Sequence, residues 1–224
     1  MPFVVLGYPE IRIEDLRWIE AFRNDHDLLY RDIVRAHFTL VFPTDGLSRE
    51  DLISHVHECA SETRPIEFVL RGALVVADHE IVAWHVFLVP DEGNSLLIKL
   101  HDRLYQEPLA AELRLEIPFI PHLGIASNAE PAVCKALAAD LNHMDLAIRG
   151  QVRELAIGEY DGTRVEDLAT VPFAEWRFVD ARTVRCCESC SHARRLRGLR
   201  PCDAAVIGHQ DFVWREPRLS RERS

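Results

Sequence analysis

The chain has 224 residues and a mass of 25.6 kDa, 48% hydrophobic and 28% charged, a composition that folds around a core without disulfide help. Its 26 basic and 36 acidic side chains give a net charge of −10, which argues against a duplex DNA binder or a membrane-surface protein, since both need a broad positive field. Met1–Leu6 lacks the basic start and long apolar run of a secretory leader, and no stretch approaches the roughly 18 apolar residues of a membrane span. A cytoplasmic chain with reduced Cys59 and Cys134 is expected.

Phe3–Tyr8 reads as a short strand ending at Pro9, and Ile13, Leu16, Trp18, Ile19 and Phe22 mark a helix over Ile13–Arg23. Val34–Phe42 alternates as a strand. Ser48, with Asp51 three residues on, caps a helix to about Ser61. Two β-rich segments, Ile66–Val76 and Ile81–Val89, flank a turn at Asp78-His79-Glu80. Asn94 is expected to cap a helix carrying Leu96, Leu97, Leu100 and Leu104. Ile117–Ala126 is the next strand. Asn128 opens a helix with Pro131 in its first turns, and strands at Leu146–Tyr160, with a break, and Arg164–Val171 follow.

The two halves, about 1–80 and 81–175, share the order strand, helix, strand, helix, strand. The predicted fold class is therefore α+β, a bilobal duplicated unit with two mainly antiparallel sheets flanked by helices around a central cleft. A boundary is expected near residue 180. Residues 181–224 carry ten arginines against five acidic side chains, and hold four of the six cysteines. This Arg/Cys-rich extension is expected to be poorly ordered. It leaves residues 1–180 at −15. No Gly-rich phosphate loop and no Gly-x-Ser-x-Gly elbow occurs in that body, which excludes nucleotide-triphosphatase and α/β-hydrolase readings.

The two matched central strands each carry a histidine, in His37-Phe38-Thr39-Leu40 and in His122-Leu123-Gly124-Ile125. Period two places His37 with Thr39 on one face, and His122 with Gly124. Across a pseudo-twofold cleft the imidazoles would face each other. Such a pair suits phosphodiester chemistry: one neutral ring takes a proton and one imidazolium gives a proton to the leaving oxygen. The Thr39 hydroxyl can bond a non-bridging phosphate oxygen.

His37-Phe38-Thr39-Leu40 resembles the His-x-Thr-x motif of the two-histidine (2H) phosphoesterases, which include 2′-5′ RNA ligase-like proteins. His122-Leu123-Gly124-Ile125, preceded by Pro121, stands where the second motif belongs, and the resemblance spans roughly residues 1–175. It implies a hydrolase of RNA 2′,3′-cyclic phosphate ends that needs no cofactor and no metal, with 2′-5′ RNA joining in some members. His37 and His122 would be the acid–base pair and Thr39 a phosphate ligand. The expected partner is a nucleotide or RNA end bearing a cyclic phosphate.

Gly124 takes the place of the second Thr, and Ser127 stands where many relatives carry Arg. A lost hydrogen bond to a charged group is worth about 1.5–3 kcal/mol, so weakened catalysis is expected. The alternative is a non-catalytic nucleotide- or RNA-binding module that lost turnover through Gly124. A third reading makes Cys187, Cys190, His192, Cys202 and His209 a zinc site, against free thiols in an extension. His26, His55, His57, His79, His85, His101 and His143 are read as solvated or helix-face residues, Trp18, Trp84 and Trp176 as core or cleft wall. Arg35 and Arg71 are the candidate site cations.

Overall fold

The computed structural model describes residues 1–174. The zinc-site candidates, Trp176 and the Arg/Cys-rich extension lie outside them. In chain order the elements are β1 (Phe3–Gly7), β2 (Glu10–Ile11), α1 (Ile13–His26), β3 (Phe38–Thr44), α2 (Arg49–Ser61), β4 (Ile66–Ala77) and β5 (Trp84–Glu92). Then follow α3 (Asn94–Leu104), a 3-10 turn at Ala110–Glu112, β6 (Leu123–Asn128), α4 (Pro131–His143), β7 (Ile148–Val152), β8 (Glu154–Tyr160) and β9 (Val165–Pro172).

Two antiparallel sheets form, in the orders β3-β1-β8-β9 and β2-β7-β4-β5-β6. The fold is α+β. Each sheet draws strands from both halves of the sequence. β1 and β3 join β8 and β9, while β4 joins β5, β6 and β7. Helix α2 packs on β8 and β9, α4 on β4, β5 and β6, α1 on β6, and α3 on β3 and β5. Phe38 of one sheet meets Phe68 of the other edge-on, ring centroids 5.1 Å apart, and both are fully buried. This contact joins the sheets through one core that also holds Ile19, Leu40, Leu88, Leu97, Ile125 and Ile157.

Local chemistry explains the element ends. Ser48 Oγ accepts from the Asp51 amide at 3.2 Å, the expected cap. Asn94 is not the cap of α3. Gly93 takes that position at φ 83, where an added Cβ would lie 2.2 Å from the Glu67 carbonyl oxygen, so only glycine fits. Asn128 closes β6, its Oδ1 accepting from Glu130 N at 2.9 Å ahead of Pro131.

Two strands start later than the alternation suggests. β3 begins at Phe38 rather than Val34, because side chains from α1 take the preceding backbone groups. Arg23 donates to Val34 O at 2.7 Å and Glu20 accepts from Ala36 N at 2.9 Å. β6 begins at Leu123 rather than Ile117, and Ile120 O is bonded by a ring nitrogen of His122. On its β7 side, β4 pairs only as far as Leu70. Beyond it, Asn142 of α4 covers the exposed edge, accepting from Ala73 N at 2.7 Å and donating to Ala73 O at 2.9 Å. Asn142→Ala leaves both backbone groups without a protein partner, and should lower the stability measured by urea unfolding by about 1–3 kcal/mol.

Candidate active site

β3 and β6 are the edge strands of their respective sheets, and His37 and His122 are the residues immediately before them. The two rings are held in the same way. His37 Nδ1 donates to Arg35 O at 2.8 Å and His122 Nδ1 to Ile120 O at 2.6 Å, each reaching back two residues. A carbonyl oxygen only accepts, so each Nδ1 carries the hydrogen. In the neutral ring Nε2 is left with the lone pair.

The surroundings of the two Nε2 atoms differ. His37 Nε2 accepts from Thr39 Oγ1 at 3.0 Å, which ties the two residues of the first motif together. The second motif has glycine where the first has that hydroxyl. A Cβ added at Gly124 would meet no atom within 4 Å, so the space of the absent side chain is open. What holds His122 instead is Phe87 of β5, whose ring lies 3.5 Å from the imidazole centroid at 14°. Phe87 is also the cross-strand partner of Gly124.

Burial lowers the pKa of both imidazoles to about 4, opposed in part by the Nδ1 bonds to Arg35 and Ile120. The Arg23 charge lowers His37 further, whereas Asp27 and Glu20 raise it. His37 and His85 both depress His122, so the imidazoles are near enough for each positive charge to oppose the next.

Arg23, 1% exposed, is a residue the sequence reading missed. Its guanidinium pairs with Asp27 and Glu20, each at 3.2 Å, and donates to Tyr30 O and Val34 O at 3.2 and 2.7 Å. Asp27 continues the network: Ser127 Oγ donates to its Oδ1 at 2.8 Å and accepts from Leu29 N at 3.0 Å. The network therefore spans α1, the segment leading to His37, and β6. The available signal was helical spacing, which puts Ile19, Arg23 and Asp27 on one face of α1.

Three other histidines are buried: His55 and His101 on the inward faces of α2 and α3, and His85 on β5, which is neither solvated nor on a helix as expected. His55 bonds Leu104 O through Nε2 at 2.8 Å, His101 stacks on Phe119 with centroids 3.7 Å apart, and His85 pairs through Nε2 with Asp78 at 2.8 Å. Trp18 and Trp84 pack against the core. Of the candidate cations, Arg35 lies over the Tyr8 ring at 3.5 Å, two residues from His37. Arg71 is engaged by Asp91 and Glu92 at 3.0 and 2.6 Å. A surface depression of about 420 Å³ lies elsewhere, bordered by Arg12, Glu67, Glu92 and Arg149. Its mixed charges, and a lining from β2, β4, β5 and β7 that includes neither histidine, set it apart from this site.

Residues 9–164 match the model of the 2′-5′ RNA ligase superfamily. The chain belongs to that superfamily, the two-histidine phosphoesterases. No curated protein matches its sequence. Among solved structures, TT0787 of Thermus thermophilus is similar at 16% identity and TM-score 0.52, over 79% of this chain and 100% of that one, and shares the fold. Escherichia coli LigT complexed with 3′-AMP is similar at 17% identity and TM-score 0.47, over 78% and 98%. Kluyveromyces marxianus Usb1 gives 12% identity and TM-score 0.47, over 76% and 97%.

Arg23→Leu strands Asp27 without its cation and should cost roughly 3–5 kcal/mol in urea unfolding. For the imidazoles, the folded pKa near 4 lies below the unfolded value near 6.5. Between those values the unfolded chain binds more protons, so stability should fall as pH drops from about 6.5 through 4. Ring NMR titrations should show both midpoints well below 6.5, and His37→Gln with His122→Gln should reduce the acid-induced loss.

Proposed function

We propose that the protein is a phosphodiesterase that opens a cyclic phosphate on a nucleotide or RNA end by two-histidine acid–base catalysis. The observation that carries this reading is the matched anchoring of His37 and His122. Both rings commit Nδ1 to a carbonyl two residues back, which leaves proton transfer to the two Nε2 atoms, that of His37 once Thr39 releases it. Membership of the superfamily supports the reaction class.

In this mechanism one neutral Nε2 takes a proton from water as its oxygen attacks phosphorus. The bond from phosphorus to one ribose oxygen breaks. The other ring, entering as imidazolium, delivers its Nε2 proton to that oxygen, so the pair ends with its protons exchanged and the product is a phosphomonoester. Thr39 Oγ1 gives up its bond to His37 Nε2 as substrate enters and donates its one hydrogen to a non-bridging oxygen instead. Both imidazoles resist protonation in the free protein, and the anionic substrate supplies the charge that lets one hold a proton.

Gly124 leaves the second half of the site without a hydroxyl, and this favours the second reading, a binding module without turnover. A single assay separates them. With 2′,3′-cyclic nucleotides and a cyclic-phosphate-ended oligonucleotide in EDTA, the enzyme should turn over. His37→Ala and His122→Ala should each lower kcat about 10²–10⁴-fold. Gly124→Thr, for which the space is open, should raise the rate roughly ten- to a hundred-fold. Binding of the same ligands without turnover establishes the module instead.

A further inference from the structure

We infer that His85, oriented by Asp78, is a third imidazole of this site and a phosphate-binding residue that stands in for the hydroxyl missing at Gly124. The inference rests on the reading of His37 and His122 as a phosphoester site, and extends it to a residue outside both motifs.

Strand register places the residue. In the β5·β6 ladder, Phe87 faces Gly124 and His85 faces Ser127. Residues directly opposite in an antiparallel pair share a face, and so do alternate residues along one strand. Val86, Leu88, Leu123 and Ile125 are fully buried in the core. His85, Phe87 and Gly124 therefore occupy the other face, and the stack of His122 on Phe87 puts that imidazole there too. Along this face the open space at Gly124 has His122 on one side and His85 on the other. The His85 ring is nearly parallel to Phe87, at 11° with centroids 5.7 Å apart, as His122 is at 3.5 Å, so the two imidazoles lie within about 9 Å. That upper bound is within reach of one phosphate group with a hydrogen bond to each ring.

The hydrogen bonding of His85 then shows which atom is available. Nε2 is bonded to Asp78 Oδ2 at 2.8 Å. Asp78 is itself fixed, its Oδ1 accepting from Glu80 N at 2.7 Å and Ile81 N at 2.9 Å. Burial pushes the Asp78 carboxyl up, but those two amides and His85 outweigh it and hold the group ionised. An ionised carboxylate accepts only, so Nε2 carries a hydrogen. Nδ1 has no partner among the described residues. His85 is 7% exposed, yet no buried side-chain nitrogen or oxygen in the described residues lacks a hydrogen bond, so the small exposed part of the ring includes Nδ1. The Tyr30 ring is a further neighbour, its centroid 5.7 Å from that of His85.

A histidine buried against a fixed carboxylate with its second nitrogen open to solvent is arranged to bind an anion. Asp78 on one nitrogen and a phosphate oxygen on the other both favour the imidazolium, and Nδ1–H then donates to that oxygen. The proton comes from solvent. The carboxylate–histidine pair does for the second half of the site what Thr39 does for the first.

The test is calorimetric titration of the full chain with adenosine 2′-monophosphate, adenosine 3′-monophosphate and inorganic phosphate. His85→Gln keeps a group near Nε2 and removes the one at Nδ1, and should weaken monophosphate binding roughly ten- to a hundred-fold. His85→Asn keeps a donor near Nδ1 and should retain more affinity than the Gln variant. Adding Gly124→Thr to His85→Gln should recover most of the loss, and should tighten binding more there than in the wild-type background. Urea unfolding midpoints of each variant separate loss of binding from loss of fold. Equal affinity for wild type and His85→Gln overturns the inference, as does an equal effect of Gly124→Thr in both backgrounds. If the wild type also turns over cyclic nucleotides, that result leaves the phosphodiesterase reading standing. Binding that depends on His85 without turnover keeps the inference and overturns catalysis. No binding of any of the three ligands by the wild type overturns the inference, and absence of cyclic-nucleotide turnover as well overturns the phosphodiesterase reading.

Discussion

A guanidinium taken fully out of water must have every donor placed and its charge paired, or it costs several kcal/mol. Arg23 meets that demand with Glu20 of its own helix, with Asp27 at that helix's C-terminal cap, and with the carbonyls of Tyr30 and Val34. Those carbonyls belong to the segment between α1 and β3, which among the described residues joins a sheet only through an Asp27–Ser127 bridge and one bond from Val165 N to Ile33 O. Arg23 and Glu20 therefore set its path and deliver His37 to the start of β3. Asp27 bonds Ser127, and so β6 is positioned against the same helix end. One buried charge thereby fixes the geometry of two edge strands that belong to different sheets.

Edge strands usually need protection because their outer backbone groups are unpaired. In this fold the residues just before β3 and β6 escape the ladder, and the imidazoles use the freed carbonyls of Arg35 and Ile120 as anchors. The same device occurs twice, as expected of a duplicated unit. The surroundings of the two anchors have diverged. The first half retains a hydroxyl on Nε2, while the second substitutes an aromatic stack, an open glycine and a neighbouring carboxylate–histidine pair.

Much of this was legible from residue pattern. Period-two and period-3.6 spacing located most strands and the helices α1 to α4, Ser48 announced its cap, and His37 and His122 stood out as matched positions. The reading failed where a side chain distant in sequence decides the outcome. Val34–Ala36 alternates like a strand but is bonded by Arg23 and Glu20. His55 meets a carbonyl 49 residues away, and only a folded sheet brings Asp78 to His85 and Phe87 to His122. Single-sequence periodicity reports which face a residue occupies, not which distant polar group awaits it there.

The distribution of charge around the site narrows its ligand. Arg23 is beside His37 electrostatically, yet its bonds go to Glu20, Asp27, Tyr30 O and Val34 O, so it shapes the field without gripping a phosphate. Arg71 is likewise occupied by carboxylates. Under the proposed function, neutralisation of the bound anion falls mainly to imidazole protons and to Arg35 at the margin. On that reading His37 and His122, whose burial opposes protonation, would take up protons as the anion arrives, linking proton uptake to phosphate binding. On the proposed reading, an acidic chain whose Arg23 and Arg71 are already engaged would hold one phosphate and repel the rest of a long polyanion. Such a charge pattern would suit a ligand gripped at its terminal nucleotide, as the proposed function requires.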